Sequence, residues 1–216
     1  MKYRLVMFDL DGTILNTLQD LTDSVNSVLQ KHGFPTHSID AVRSFVGNGI
    51  FTLIQKAVPA NTEGEKLNAV FEDFKLHYAA HCADKTKPYT GIAELLLELR
   101  RAGALTAVVS NKADFAVKEL ADRYFHGLFD LAVGEKEGVP RKPAPDSVFA
   151  VMRSLGCTAT ETVYIGDSDV DVATAKNAGL DGIFVTWGFR SAELLRGCGA
   201  ATLVSTPDEI AKLILN

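Results

Sequence analysis

Cysteine and tryptophan are scarce in this chain. Three thiols, Cys82, Cys157 and Cys198, and one indole, Trp187, occur in 216 residues. An odd number of widely spaced cysteines without CxxC pairs fits neither a disulfide scaffold nor a zinc ribbon, and predicts reduced thiols in a cytoplasmic protein. Long apolar runs are also missing. The first one is about five residues long before Asp9 interrupts it, too short for a signal peptide or anchor, and no segment reaches the roughly 20 apolar residues that span a bilayer. A soluble protein with no membrane partner is therefore expected. Lys and Arg number 22 against 27 Asp and Glu, a net charge of −5, with no sustained basic stripe, so nucleic acid is not an expected partner. There is no GxxxxGK[ST] phosphate loop. Gly47-Asn48-Gly49 is an incomplete GxGxxG with no buried strand before it, which argues against a dinucleotide site. Of the five histidines, His77 and His81 stand one helical turn apart, but without an adjacent acidic ligand they read as a surface pair.

The remaining composition, 47% hydrophobic, can bury a sizeable core. Leu5-Val6-Met7-Phe8 is a continuous apolar run followed directly by Asp-Leu-Asp-Gly-Thr, the pattern of a strand buried on both faces and then a turn. Leu105 to Val109, Thr162 to Ile165 and Gly182 to Val185 repeat it. Helical periodicity fills the intervals at Ile92 to Arg101, Ala113 to Tyr124, Ser147 to Leu155 and Val170 to Ala178. This alternation predicts an α/β fold, a doubly wound parallel sheet with a Rossmann-like core. Ligands of such sheets bind outside the carboxyl ends of the strands, where Asp9, Ser110 and Asp167 fall.

Residues 16–85 break the alternation and read as helices alone, with Leu18, Leu21, Val25, Val28 and Leu29 on one face. They form an inserted all-helical domain, leaving 1–15 and 86–216 as the α/β core. Thr62-Glu63-Gly64-Glu65 and Thr206-Pro207-Asp208-Glu209 both have capping-box spacing and predict helix starts.

Two acidic turns carry the chemical signal. Asp9-Leu10-Asp11-Gly12-Thr13 places two carboxylates two residues apart at a strand end, and Gly166-Asp167-Ser168-Asp169-Val170-Asp171 supplies a second set. Either alone could be an ordinary turn or helix cap. Together with Lys142 before Pro143, and Ser110-Asn111 at another strand end, they are the parts of a phosphoryl-transfer site.

In this order the motifs Asp9-Leu10-Asp11-Gly12-Thr13, Ser110, Lys142 and Gly166 to Asp171 resemble those of the haloacid dehalogenase superfamily of phosphatases, over the whole chain and including a helical cap after the first motif. The resemblance implies that Asp9 is the nucleophile, forming an aspartyl-phosphate, and that Asp11 is the general acid and base. Thr13 would orient the loop, and Ser110 with the Asn111 amide would hold phosphate oxygens. Mg²⁺ is the implied cofactor, bound by Asp9, Asp167 and the backbone carbonyl of Asp11, with Asp171 steering Lys142 or a metal-bound water from behind. Mg²⁺ and Lys142 would together balance Asp9, Asp167 and Asp171.

Asp-Gly-Thr-Ile-Leu-Asn-Thr and Val46-Gly47-Asn48-Gly49 look like phosphoglycolate phosphatases and their near relatives. This makes Arg43 and Asn48 candidate substrate contacts from the cap. Asn16 and Val170 stand where many relatives carry Asp and Asn. A small phosphorylated metabolite is the expected partner, 2-phosphoglycolate foremost, in a monomer or homodimer. Pyrophosphate or a sugar phosphate is the alternative substrate, and a non-catalytic sensor of a phosphometabolite is the alternative class.

Overall fold

A computed structural model describes all residues, Met1–Asn216. Chain packing divides it into two compact units, Met1–Leu15 with Pro88–Asn216, and Asn16–Lys87.

The first unit is built on six parallel strands in the order β5-β4-β1-β6-β7-β8. These are β1 (Leu5–Phe8), β4 (Leu105–Ala113), β5 (Leu131–Glu135), β6 (Thr162–Gly166), β7 (Asp181–Val185) and β8 (Leu203–Val204). The chain winds outward from β1 on both sides, as the alternation predicted. Every residue of β1 and β6 is buried, because strands at the centre of a parallel sheet are covered on both faces. Helices α5 (Ile92–Arg101), α6 (Asp114–Phe125), α7 (Asp146–Leu155), α8 (Asp169–Ala178), α9 (Ala192–Gly197) and α10 (Pro207–Leu215) connect the strands or close the chain. One cluster of this core joins Leu5, Met7, Val148, Val151, Tyr164, Phe184 and Leu195.

The outer strands β5 and β8 were not anticipated from the sequence. Four of the five residues of β5 are only half-buried, and β8 has two residues, so neither shows a continuous apolar run. β4 also extends through Ala113, past the predicted Val109. Its pairing with β5 shifts register between Val109 and Ala113, and this irregularity lies at Ser110, Asn111 and Lys112.

The second unit holds α1 (Leu18–Lys31), α2 (Ile39–Phe45), α3 (Gly49–Ala57) and α4 (Gly64–His81). The predicted apolar face of α1 is buried as a set. Asp20 is buried with it, and its carboxylate accepts from the amides of Lys85 and Thr86 at 2.8–3.0 Å. That acid anchors the end of the helical segment. The ribbon strands β2 (Leu15–Asn16) and β3 (Lys87–Pro88) mark the two passages of the chain between the units. No helix is long and apolar enough to cross a membrane.

Both predicted helix starts are present, at α4 and α10, but without the capping boxes that announced them, and the reading of the histidine pair is corrected. α4 begins with Glu63 at its N-cap, one residue later than the Thr62 box requires, and no side chain caps it. At α10 Pro207 takes the first helical position, but Thr206 makes no capping bond. Glu209 reaches past it to the amide and hydroxyl of Ser205, at 2.8 and 3.1 Å. His77 and His81 do share a helix face, with ring centroids 4.4 Å apart, yet an acid is adjacent: His81 Nδ1 lies 2.8 Å from Asp84, and His77 Nδ1 lies 3.1 Å from the Ser24 hydroxyl.

Candidate active site

β1 ends at Phe8, and the turn that follows carries both acids of the first motif. Asp9 stays in the sheet register, its amide donating to the Ile165 carbonyl at 2.8 Å. The chain then reverses on the Leu10 carbonyl, which accepts from the amides of Thr13, Ile14 and Leu15. Gly12 makes the reversal possible, since its φ is +85°. A Cβ at Gly12 would also lie 2.3 Å from Asp167 Oδ2, so this position needs glycine for both conformation and space.

Asp167 follows β6 from the neighbouring strand. Thr13 Oγ1 donates to its Oδ1 at 3.1 Å, and the Phe189 amide donates to its Oδ2 at 2.6 Å. Thr13 is fully buried and its hydroxyl is spent on this bond. Gly188 presses on the same carboxylate, because a Cβ there would come within 2.3 Å of Asp167 Cβ.

The three acids of the last motif have different surroundings. Asp169 faces Arg190, with Oδ1 3.0 Å from Nε. Asp171 is the third residue of α8 and completes a reciprocal capping box with Ser168, the helix cap. Its Oδ2 accepts from the amides of Asp167 and Ser168 and from the Ser168 hydroxyl at 2.6–3.2 Å, and its Oδ1 accepts from Lys142 Nζ at 2.8 Å. The acidic loop thus caps α8 through Ser168 and Asp171, while the other oxygen of Asp171 faces Lys142.

Lys142 is buried between two carboxylates, 2.8 Å from Asp171 Oδ1 and 2.9 Å from Asp9 Oδ1, and donates to the Tyr164 hydroxyl at 2.8 Å. Burial by itself would push the ammonium toward its neutral form, but the negative charges of Asp171 and Asp9 outweigh that and hold its pKa well above the ordinary value. The peptide carrying Lys142 is tied down from two sides. Asn111 Nδ2 donates to the Lys142 carbonyl and Asn177 Nδ2 to the Pro143 carbonyl, both at 2.9 Å. Ser110 and Asn111 are buried at the end of β4.

The site has an excess of negative charge. Burial, then repulsion from Asp171 and Asp11, raises Asp9 to about 6 even with Lys142 beside it. Burial and the charges of Asp171 and Asp9 push Asp167 well above the usual carboxylate range. Ligand oxygens of Asp9, Asp167 and Asp171 fall within 4.8 Å of one another. Asp9 Oδ1 is buried without an aligned hydrogen-bond donor, its charge met only by the nearby ammonium.

Lys112, which the sequence analysis did not single out, completes the set. Its side chain is buried, and Nζ reaches both oxygens of Asp11 at 2.9 and 3.2 Å. Four carboxylates, those of Asp9, Asp11, Asp167 and Asp171, therefore face two ammonium groups, Lys112 and Lys142. The two uncompensated negative charges match one divalent cation. Asp171 cannot easily be a direct ligand, because five donors, with the Tyr164 hydroxyl among them, already crowd its roughly four lone-pair sites. Asp9 and Asp167 keep capacity, and oxygen donors of this kind suit a hard cation such as Mg²⁺.

Asp9, Asp11, Thr13, Ser110, Asn111, Lys142, Asp167 and Asp171 thus come from three adjacent strand ends and the loop before α7. Arg43 and Asn48 belong to the helical unit. Arg43 lies in α2, 2.9 Å from Asp40, and Asn48 is the N-cap of α3. Tyr164 and Phe189 join Lys112 as site neighbours absent from the sequence reading, and Trp187, noted there only as the single indole, is another. The one available sign of Lys112 was a lysine directly after Ser110-Asn111 at a buried strand end.

Comparison with known proteins gives this arrangement a family. The sequence profile of the haloacid dehalogenase-like hydrolases matches residues 6–185. A phosphoglycolate phosphatase of Aquifex aeolicus is 31% identical over 214 residues, 99% of this chain and 97% of that protein. One of Pseudomonas syringae pv. tomato is 30% identical over 216 residues, 98% of this chain and 78% of that protein. A crystal structure from Lactobacillus delbrueckii subsp. bulgaricus, provisionally named a phosphoglycolate phosphatase, superposes with a TM-score of 0.94 at 37% identity, covering 99% of both chains. With the matched span taking in the Asp9–Thr13 loop, the buried Lys142 and the second acidic loop, the chain belongs to the haloacid dehalogenase-like hydrolase family.

Proposed function

We propose that this enzyme is a Mg²⁺-dependent phosphatase of small phosphate monoesters, with 2-phosphoglycolate the leading substrate, and that it works through an aspartyl-phosphate on Asp9. The observation that carries the reading is the shared pocket of Asp9, Asp11 and Lys142 beside Asp167, with a deficit of two positive charges. The names of the relatives in Aquifex and Pseudomonas point to the same substrate.

Asp9 attacks phosphorus and the ester oxygen leaves, so one difficult hydrolysis becomes two easier steps. Asp11 gives the leaving oxygen its proton. It then takes a proton from the water that opens the acyl-phosphate, which regenerates Asp9 and releases inorganic phosphate. Ser110 and the Asn111 amide hold the non-bridging oxygens, and Lys142 offsets the charge of nucleophile and phosphate. Asp9 and Asp167, with the Asp11 carbonyl, would hold the cation, which when bound neutralises the carboxylates and draws charge from the phosphate. Asp171 and Tyr164 keep Lys142 in place.

In this reading the helical unit is a cap that supplies contacts to the leaving group, with Arg43 and Asn48 the candidates. Phosphate release from 2-phosphoglycolate, pyrophosphate, sugar phosphates and nucleoside monophosphates, with Mg²⁺ and with a chelator, is the deciding experiment. Turnover of 2-phosphoglycolate that stops with chelator and returns with Mg²⁺ is expected. Full turnover in chelator, or hydrolysis of none of these compounds, would overturn the proposal.

A further inference from the structure

We infer that Lys112 determines specificity: its ammonium is the receptor for a carboxylate carried on the carbon next to the substrate's ester oxygen. The inference rests on the phosphatase reading above and deepens it.

The backbone of Lys112 is fixed. It lies where β4 loses register with β5. Its amide is 3.3 Å from the Ser110 hydroxyl, and its carbonyl sits 2.5 Å from where a Cβ on Gly134 would be. The side chain is 2% exposed and spans inward to Asp11, which is 14% exposed. The ammonium grips both carboxylate oxygens. Lys112 and the phosphate-holding pair Ser110 and Asn111 thus leave one strand end as consecutive residues, aimed at different parts of one ester.

A buried ammonium is costly unless an anion faces it, and removing the partner of a buried pair is far more costly than exchanging it. Asp11 cannot serve both tasks equally. To reach a leaving oxygen it must come within about 2.6–3.2 Å of it, and a carboxylate that points there no longer offers both oxygens to Lys112. A substrate with a neutral leaving group leaves the ammonium partly uncompensated at that moment. One with its own carboxylate replaces what Asp11 withdraws.

The distances allow this exchange. A leaving oxygen about 3 Å beyond Asp11 is roughly 5–6 Å from Lys112 Nζ, given the 2.9 Å ion pair. A carboxylate on the adjacent carbon extends about 3 Å from the ester oxygen and closes the remainder with a charge-assisted hydrogen bond of about 2.8 Å. A longer or uncharged leaving group does not place an anion there. Binding energy from that remote charge would then be spent as the acid engages, which raises kcat as well as affinity.

The test compares 2-phosphoglycolate with 2-hydroxyethyl phosphate, which has the same chain length and a hydroxymethyl group in place of the carboxylate. The wild type, Lys112→Met and Lys112→Arg are each assayed with Mg²⁺ on both esters. The wild type should prefer the carboxylated ester. Lys112→Met should reduce that preference, read as the ratio of the two kcat/KM values, by about tenfold or more whatever loss is common to both, and Lys112→Arg should retain most of it. If Lys112→Met does not fold, product inhibition of the wild type decides: glycolate should compete with substrate where ethylene glycol at the same concentration does not. An unchanged ratio in Lys112→Met, a wild type that prefers the neutral ester, or equal inhibition by the two alcohols would overturn the role of Lys112 while leaving a phosphatase. Hydrolysis of no phosphate monoester by the wild type would instead sink the proposed function.

Discussion

The indole Nε1 of Trp187 donates to the carbonyl oxygen of Thr13 at 3.0 Å. Two residues later the Phe189 amide donates to Asp167 Oδ2, while the Thr13 hydroxyl holds the other oxygen of Asp167. The loop after β7 therefore fastens the first and second acidic loops to each other. Trp187, the single indole of the chain, is one of the fasteners.

Trp187→Phe keeps most of the apolar bulk but leaves a carbonyl of the fully buried Thr13 without that donor, at a cost of about 1–3 kcal/mol. A lower midpoint in thermal or urea unfolding is expected, with reduced kcat. Since Trp187 is the sole tryptophan, its emission also reports on the site. Adding Mg²⁺ to the wild type should change the emission, and Asp167→Asn should abolish the response. An unresponsive indole in an enzyme that needs Mg²⁺ for turnover would show that the loop does not register the metal.

The two acids of the first motif should fail at different steps. Asp9→Asn forms no phosphoenzyme, whereas Asp11→Asn loses most turnover but still forms some phosphoenzyme from p-nitrophenyl phosphate, whose leaving group needs no proton. Rapid-quench trapping with labelled substrate separates the two. Near-normal hydrolysis by Asp9→Asn would exclude the covalent route.

Asp9 also makes a testable contribution to stability in the absence of metal. Its folded-state pKa of about 6 lies above the ordinary 3.8, so between these values the folded state binds the extra proton. Stability then falls as pH rises through this window, and the penalty is fully present above about pH 6. Asp9→Asn escapes it. In chelator the variant should melt above the wild type at pH 7.5, by about 1–3 kcal/mol or several degrees, with the gain shrinking below about pH 4. Added Mg²⁺ should reverse the order by stabilising the wild type. A difference independent of pH would assign the effect to packing.

For the helical unit, Arg43→Ala or Asn48→Ala is expected to lower kcat/KM for a carboxylated phosphate ester by about tenfold, with little change on p-nitrophenyl phosphate. Arg43 is paired with Asp40, and Asp40→Ala, which removes that one partner, should not reproduce the loss. Equal losses on both esters would indicate a folding defect, and no loss on either would remove these residues from the site.

The sequence by itself determined the central strands, the interposed helices, the helical insertion and the principal acids. Four continuous apolar runs, each ending in polar residues, can be satisfied only by strands covered on both faces, and the acids fall at their ends by chain connectivity alone. The outer strands β5 and β8 were illegible because a half-covered or two-residue strand needs few apolar side chains. The surroundings of each acid were set by the tertiary structure. Asp167, Asp169 and Asp171 look equivalent in a row, but Asp169 meets Arg190 with its side chain half-exposed, Asp171 is consumed by Ser168 and Lys142, and Asp167 is buried between Thr13 and the Phe189 amide. Lys112 is the clearest case. Nothing in Ser-Asn-Lys-Ala says where the lysine points, and it meets Asp11, 101 residues earlier, only because β1 and β4 are neighbours and the irregular end of β4 turns its side chain inward. Burial of an ammonium is favourable only against an anion brought there by the fold, and pairing between distant chain segments leaves no periodicity in the sequence to read.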